Sequence, residues 1–405
     1  MNVSLKRATV ALTAVALLAL AACGSDGDDE GATTDDTTTE EAPAVDIDAS
    51  SFTADFSAME QLKDIAAQGE GKIAVLLPDT TSSARYESFD RPYLEQAFEA
   101  AGLTSDDYII QNAQGSASTM QTQAEAAITD GATVLLVDAL DSGSGAAIEA
   151  AATAKGVAVI DYDRLVKGGA DGRVYVSFDN VSVGKLIGEG FVECATAWGV
   201  DTPNVLVMNG DPSDNNATLF AEGYHSVLDP KFEDGSYVKV GEPAGTWTPS
   251  VAQTTFDQQY TAHNDINAVV TPNDDNANAV ISSLQKLKIP ANTFPTTGQD
   301  ASLSGLQNIL KGYQCGTVYK PIYLEAQGAA AAAIYLRAGM DVPDGLISGT
   351  TEDSEAGTDV PSVLLTPVWV TAENMAETVV KDGAVDVAEL CVPEVAEACK
   401  AAGIE

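Results

Sequence analysis

Residues 133–164 read TVLLVDALDSGSGAAIEAAATAKGVAVIDYDR, and the fold turns on them. An apolar run, Thr133 to Asp138, ends on a carboxylate. An alanine-rich stretch, Gly143 to Lys155, predicts a helix, and a second apolar run, Val157 to Asp161, leads into Tyr162, Asp163 and Arg164. Strand, helix and strand in that order make the unit of an α/β fold with parallel pairing.

The same alternation extends in both directions. Further strands are predicted at Lys72 to Leu77, Asp107 to Gln111, Val174 to Phe178, Asn204 to Asn209, Tyr237 to Glu242, Ala268 to Thr271 and Thr317 to Tyr319. Helices are predicted at Arg91 to Ala101, Ser116 to Thr129, Val183 to Trp198, Asn276 to Leu287 and Tyr323 to Ala338. The roughly 330 residues after the amino-terminal region exceed what one hydrophobic core usually fills, so two lobes with mainly parallel sheets are expected. No solenoid period is visible.

The amino terminus carries an export signal. Lys6 and Arg7 precede a short apolar run that closes on Leu20, Ala21, Ala22 and Cys23, too short for an ordinary membrane span. The pattern is similar to a bacterial lipoprotein signal, which implies cleavage after residue 22 and a diacylglycerol on Cys23. From Gly24 to Asp48 there are ten acidic residues and no lysine or arginine. A disordered spacer is therefore expected over 23–69, with a short helix near Met59 to Ala67. The formal charge of −40 becomes −42 when Lys6 and Arg7 leave with the signal, which argues against nucleic acid and anionic lipid surfaces as partners.

Ligands of open α/β sheets bind beyond the carboxyl ends of strands. Polar residues collect there: Asp79, Arg85 and Tyr86 after the first strand, Asp138 after the third, and Asp163 and Arg164 after the fourth. Asp179 and Asn180, then Asp214, Asn215 and Asn216, then Asn273 and Asp274, then Gln299 and Asp300, and finally Lys320 follow the later ones. Carboxylates, amides and guanidinium groups suit a neutral polyol, because each sugar hydroxyl both donates and accepts. Tyr86 and Trp247 could give flat faces to the C–H side of a pyranose ring. A phosphate-binding loop is missing: no GxxxxGK[ST] exists, and the third position of the Gly143, Gly145, Ile148 run is not glycine. No cofactor or metal is expected, since His225 and His263 lack ligand spacing and no EF-hand pattern stands among the acids.

In order, Tyr162-Asp163-Arg164, Ser177-Phe178-Asp179-Asn180, Asp214-Asn215-Asn216-Ala217, Asn273-Asp274, Gly298-Gln299-Asp300 and Thr317-Val318-Tyr319-Lys320-Pro321 resemble the type I periplasmic-binding-protein family, most of all the D-xylose-binding component of bacterial sugar ABC transporters. The resemblance implies two Rossmann-like lobes joined by three crossings, with one sugar in the cleft between them. It places the first lobe at about 70–178 plus 301–350 and the second at 179–300 plus 351–400. On the sugar it implies Arg85, Asp163 and Arg164 from the first lobe, Asn215 or Asn216 and Asn273 from the second, Asp300 at a crossing, and Lys320 at the cleft border. Trp247 lies where the xylose binders also carry tryptophan. Two departures stand out: Thr80 to Ala84 lacks the extra basic residue before the matched arginine, and Asp138-Ala139-Leu140-Asp141 replaces a Pro-Tyr-Asn type turn. Xylose is the first expectation, with glucose, galactose or arabinose behind it.

Four cysteines follow Cys23, and an even count in an exported chain suggests disulfides with three possible pairings. Cys391 with Cys399 is favoured because it would close a short loop, leaving Cys194 with Cys315 by subtraction. An enzyme is not expected: glycoside hydrolysis needs two spaced carboxylates, and the neighbouring arginines and asparagines look suited to saturating hydroxyls instead. The expected protein is a monomeric, lipid-anchored binding protein on the outer face of the bacterial cytoplasmic membrane. It would serve an ABC permease and its ATPase subunits. A sensory binding protein for another sugar or small polar signal is the alternative.

Overall fold

The computed structural model describes residues 45–404 apart from 46 and 84. Cys23 and the signal region before it lie outside the described residues. In chain order the helices and strands are α1 (Lys63–Ala66), β1 (Lys72–Leu77), α2 (Arg91–Ala100), β2 (Tyr108–Asn112), α3 (Ala117–Thr129), β3 (Ala132–Val137), α4 (Ser142–Thr153), β4 (Ala158–Tyr162), β5 (Val174–Phe178) and α5 (Asn180–Ala197). There follow β6 (Asn204–Val207), α6 (Asn215–Glu233), β7 (Val238–Gly241), α7 (Pro249–Ala262), β8 (Ala268–Val270), α8 (Asp274–Lys286), α9 (Leu303–Leu310), β9 (Thr317–Tyr319) and α10 (Ile322–Arg337). The chain ends with β10 (Gly349–Asp353), β11 (Thr358–Leu365), β12 (Val368–Val370), α11 (Val387–Leu390) and α12 (Ala396–Ala401).

Two sheets divide these elements. The larger has seven strands in the order β10-β11-β5-β4-β3-β1-β2, parallel except for the β10–β11 hairpin. The second is the parallel set β7-β6-β8, continued through a bridge from Val269 to Thr296 and another from Gln299 to Val318 into the antiparallel pair β9–β12. Every expected strand is present within two residues of its predicted ends, so the α/β reading holds.

The sheets draw the lobe boundaries differently from the sequence. The first crossing follows β5, near Asp179. The second is at Lys320 and Pro321, between β9 in the second sheet and α10, which lies on the first; the third is at Thr366 and Pro367, between β11 and β12. Residues 301–319 therefore belong to the second lobe and 351–365 to the first, and Asp300 is not at a crossing. The reason is pairing: β11 joins β5 from Ser362↔Tyr175 to Leu365↔Phe178, and α9 packs with Tyr319 and the carboxyl-terminal segment.

The expected spacer also ends early. Ile47, Phe52, Phe56, Met59, Leu62 and Ile65 are buried in the core of the first lobe, against the run Ala329–Ala333 of α10. Gln327 Nε2 donates to the Thr53 carbonyl at 2.9 Å. Burying such side chains contributes about 1.5–3 kcal/mol each, enough to offset the ordering of an otherwise acidic segment. Cys194 is bonded to Cys315, which ties α5 to the strand before the second crossing, and Cys391 is bonded to Cys399.

Candidate functional site

A pocket lies between the lobes, at the carboxyl ends of β1 and β4 on one side and of β6 and β8 on the other. Arg85, Tyr86, Asp163, Arg164, Asn216, Trp247, Asn273, Asp300 and Lys320 all line it. Asp138 and Asn215 do not. Asp138 is fully buried beneath Arg164, whose Nε lies 3.4 Å from it, and Asn215 is turned inward on the first turn of α6. Asp79 also lies outside the lining: it accepts from the backbone N–H groups of Thr81 and Ser82, so it shapes the turn after β1.

Asp163 organises the first wall. It follows β4 with a φ of 59°, a left-handed conformation that costs a non-glycine residue energy and is held here by three hydrogen bonds to its carbonyl. These come from the Tyr175 hydroxyl (3.0 Å), the Ser177 hydroxyl (2.8 Å) and Asn216 Nδ2 (2.9 Å). The last reaches across from the second lobe, and since Asn216 Oδ1 is taken by Asn180 at 2.9 Å, its amide serves the junction between lobes. The Asp163 carboxylate faces Arg85 Nη1 at 2.9 Å, Lys320 Nζ at 3.7 Å and the Tyr86 hydroxyl at 3.3 Å. Burial alone would raise its pKa, but Arg85, Lys320 and Arg164 hold it down at about 2.

Arg85, expected from the sequence to touch ligand, lines the pocket with its nitrogens already hydrogen-bonded to protein. Its donors go to Asp90 (2.9 and 2.6 Å), Asp163 and Glu325 (2.6 Å), so its main work is to fix Asp163. Tyr86 differs in a similar way. Its ring lies beside the Arg85 and Arg164 guanidinium groups, 5.5 and 5.7 Å away, and its hydroxyl accepts from Arg164 at 2.8 Å.

Arg164 remains the less satisfied cation. Its Nη atoms reach Ala139 O, the Ser82 hydroxyl and the Tyr86 hydroxyl, while Nε makes no hydrogen bond, although Asp138 and Asp214 each lie 3.4 Å from it. Gln299 Oε1 is likewise buried without a hydrogen-bond partner, and Asp300 Oδ1 faces the Lys320 ammonium at 3.3 Å without a hydrogen bond. Trp247 closes the second wall: its Nε1 donates to Asp214 at 3.0 Å and its ring meets Phe220 edge-on. Gly210 is required beneath it, because a Cβ there would sit 2.3 Å from the indole. Asn273 caps α8 and also donates to the Ser82 carbonyl across the cleft at 3.3 Å, and Ser83 donates to Asp300 at 3.1 Å.

The sequence reading did not place Ser82, Ser83, Asp214, Phe220 or Gln299 among the contacts, yet all line the pocket. Asp214 and Gln299 stand in the quoted motifs. Phe220 follows Asn216 by four residues on α6, a helix the reading did not draw, and the two serines carry no distinguishing signal.

A family model described as a periplasmic binding protein domain matches residues 73–340. The chain belongs to the periplasmic binding protein family. It is 34% identical over 325 residues to the D-xylose-binding periplasmic protein of Escherichia coli K12, covering 80% of this chain and 93% of that one. A multiple sugar-binding periplasmic protein of Azospirillum brasilense is 30% identical, over 78% of this chain and 90% of its own. Among solved structures, a carbohydrate transporter solute binding protein of Chloroflexus aurantiacus in complex with D-glucose matches with a TM-score of 0.69 at 28% identity, covering 78% of this chain and 97% of that chain. Members of the periplasmic binding protein family bind solutes and do not transform them, so this chain is not an enzyme. Among the described residues no cluster of His, Cys, Asp and Glu could hold a metal.

Proposed function

We propose that this periplasmic binding protein captures a monosaccharide, D-xylose or a closely related aldopyranose, and delivers it to an ABC permease driven by ATPase subunits. One observation carries the reading. The pocket between the lobes is lined by Arg164, Gln299 and Asp300, of which Arg164 Nε and Gln299 Oε1 make no hydrogen bond, and by the rings of Trp247 and Phe220. A pyranose offers hydroxyls that accept from Arg164 and donate to Gln299 and Asp300, with C–H edges for the rings. The xylose-binding relative and the glucose-bound structural neighbour support a pyranose.

In this reading the sugar docks on one lobe and recruits the other, so that closure surrounds it from both walls and presents a closed surface to the permease. We assign Cys23 the lipid that would hold a monomer at the outer face of the cytoplasmic membrane, with the acidic stretch after it as tether.

A thermal-shift screen over pentoses, hexoses and disaccharides tests the reading, with small-angle scattering on the strongest ligand. At 100 times Kd a true ligand stabilises by about 2.7 kcal/mol, a plain melting shift, and closure should compact the particle. A glucose response stronger than xylose would move the assignment to hexoses. No monosaccharide response beside a clear one from a nucleoside or peptide would overturn it.

A further inference from the structure

Asp382 lies in the carboxyl-terminal segment, beyond the residues matched by the family model. Its Oδ2 accepts two hydrogen bonds, from the Tyr319 and Tyr323 hydroxyls, each at 3.2 Å. Those tyrosines stand on either side of Lys320, the pocket cation that lies 3.3 Å from Asp300 and 3.7 Å from Asp163. They also stand on either side of the second crossing: Tyr319 ends β9 in the second lobe, and Tyr323 is in the first turn of α10, on the first. The Tyr323 ring meets Tyr93 of α2 edge-on at 6.3 Å, which fixes that end to the first lobe. Asp382 itself follows Val379 and Val380, which pack with Leu306, Tyr319 and Leu390 in the second-lobe core.

We propose that Asp382 is a positioning residue for the binding site: by holding Tyr319 and Tyr323 on one carboxylate oxygen, it sets the place of Lys320 and the angle at which the chain passes between lobes. Two hydroxyls on one anionic acceptor make charge-assisted bonds, stronger than neutral ones and directional. Lys320 makes no hydrogen bond among the described residues; the two carboxylates and the Phe178 ring, 5.9 Å from its ammonium, attract it without fixing its direction, so its position depends on the backbone on both sides. Without the brace, Lys320 and the crossing gain freedom that sugar binding must then remove, and affinity falls although every group that touches the sugar is still present.

The magnitude rests on the proposed sugar function, so the test has one arm that uses sugar and one that does not. Asp382→Leu removes both acceptors, whereas Asp382→Asn keeps an oxygen that can accept from both tyrosines. With the full chain, Asp382→Leu should raise the xylose Kd about tenfold, mainly through faster release, while Asp382→Asn stays within about threefold of wild type. In a Tyr319→Phe, Tyr323→Phe background, Asp382→Leu should add little, because the partners are already gone. In the ligand-free protein, amide hydrogen exchange at 317–323 should quicken in Asp382→Leu and not in Asp382→Asn. A lowered melting temperature with unchanged Kd and unchanged exchange would make Asp382 merely structural and overturn the proposal. So would an Asp382→Leu effect that persists undiminished in the double-phenylalanine background. If wild type binds no sugar, the sugar function fails, and the exchange arm still decides the brace.

Discussion

Strand β4 feeds two buried arginine–carboxylate clusters, one through Asp161 and one through Asp163, and they are built to opposite ends. At Asp161 every nitrogen of the cation is taken, and the oxygens left without a hydrogen bond are Asp161 Oδ1 and Glu149 Oε1. Arg173 donates to Asp161 (3.0 Å), Asp353 (2.8 Å) and the carbonyls of Ala170 (2.7 Å) and Val166 (2.9 Å). The backbone N–H groups of Val166, Gly168 and Ala170 in turn donate to Asp161, Asp353 and Glu149. That set ties the loop after β4 to α4 and to the β10–β11 hairpin. At Asp163 the nitrogens of Arg85 are all taken as well, with Glu325 Oε1 left over, but in the outer half the cation itself falls short, at Arg164 Nε, together with both oxygens of Asp138. Buried polar groups are costly to leave unpaired, so an arginine whose nitrogens are all taken holds the fold, and one with a donor to spare beside the pocket is poised for a ligand.

The largest effect expected from this difference is on stability. Arg173→Met leaves Asp161 and Asp353 as buried charges without their cation and should destabilise the fold by about 3–5 kcal/mol, read by urea unfolding. Sugar affinity of the folded fraction should hardly change, since the two clusters share no side chain. An affinity loss as large as the stability loss would collapse the distinction between them.

The converse pair sharpens it. Asp163→Ala and Arg164→Ala should each weaken sugar binding by about 2–5 kcal/mol, measured by calorimetry on variants with wild-type circular dichroism. Wild-type affinity in both would remove this wall from the site.

How far the sequence carries can be read from the same residues. The strands are legible because buried parallel strands are short continuous apolar runs, and the residues that end them fall on one edge of a sheet. Asp163 and Arg164 are therefore found by position alone. The partners of a strand-end residue are not: Arg85 reads as a ligand contact, and only the tertiary structure brings Glu325, 240 residues further along, onto its guanidinium. Asp138 ends its strand like the others, yet points beneath Arg164. The lobe boundaries fail for the same reason, because β11 is assigned by its pairing with β5, a contact between distant segments. The helices α6 and α7 and the packed segment at 47–66 are hidden differently. Their sequences mix polar residues, an internal Pro230, or acidic composition with a sparse apolar set, and the pattern becomes visible only once something covers it.

The smallest expected effect is a change of slope with pH. Burial first, then the neighbouring Asp161 charge, pushes Glu149 up to about 9, and burial pushes Asp161 up to about 6 against the pull of Arg173. Between the ordinary glutamate value of 4.5 and about 9 the folded protein therefore binds a proton that the unfolded chain releases, so stability is lost as pH rises through that window. Asp163 has the opposite sign: held at about 2, it contributes stability that is lost only as pH falls below its ordinary value of 3.8. Glu149→Gln imitates the protonated acid, able to donate to Asp161 and to accept from the Ala170 N–H that Glu149 now holds at 2.7 Å. Near about pH 5 it should match wild type in unfolding free energy, and toward pH 9 it should become the more stable of the two. A residual decline should persist in both, because Asp274 and Glu325 are also raised by burial, to about 7 and about 8. Parallel stability curves for wild type and Glu149→Gln across this range would mean that the Asp161 cluster carries no proton of its own, and that Glu149 is ionised beside Asp161 with Arg173 holding both.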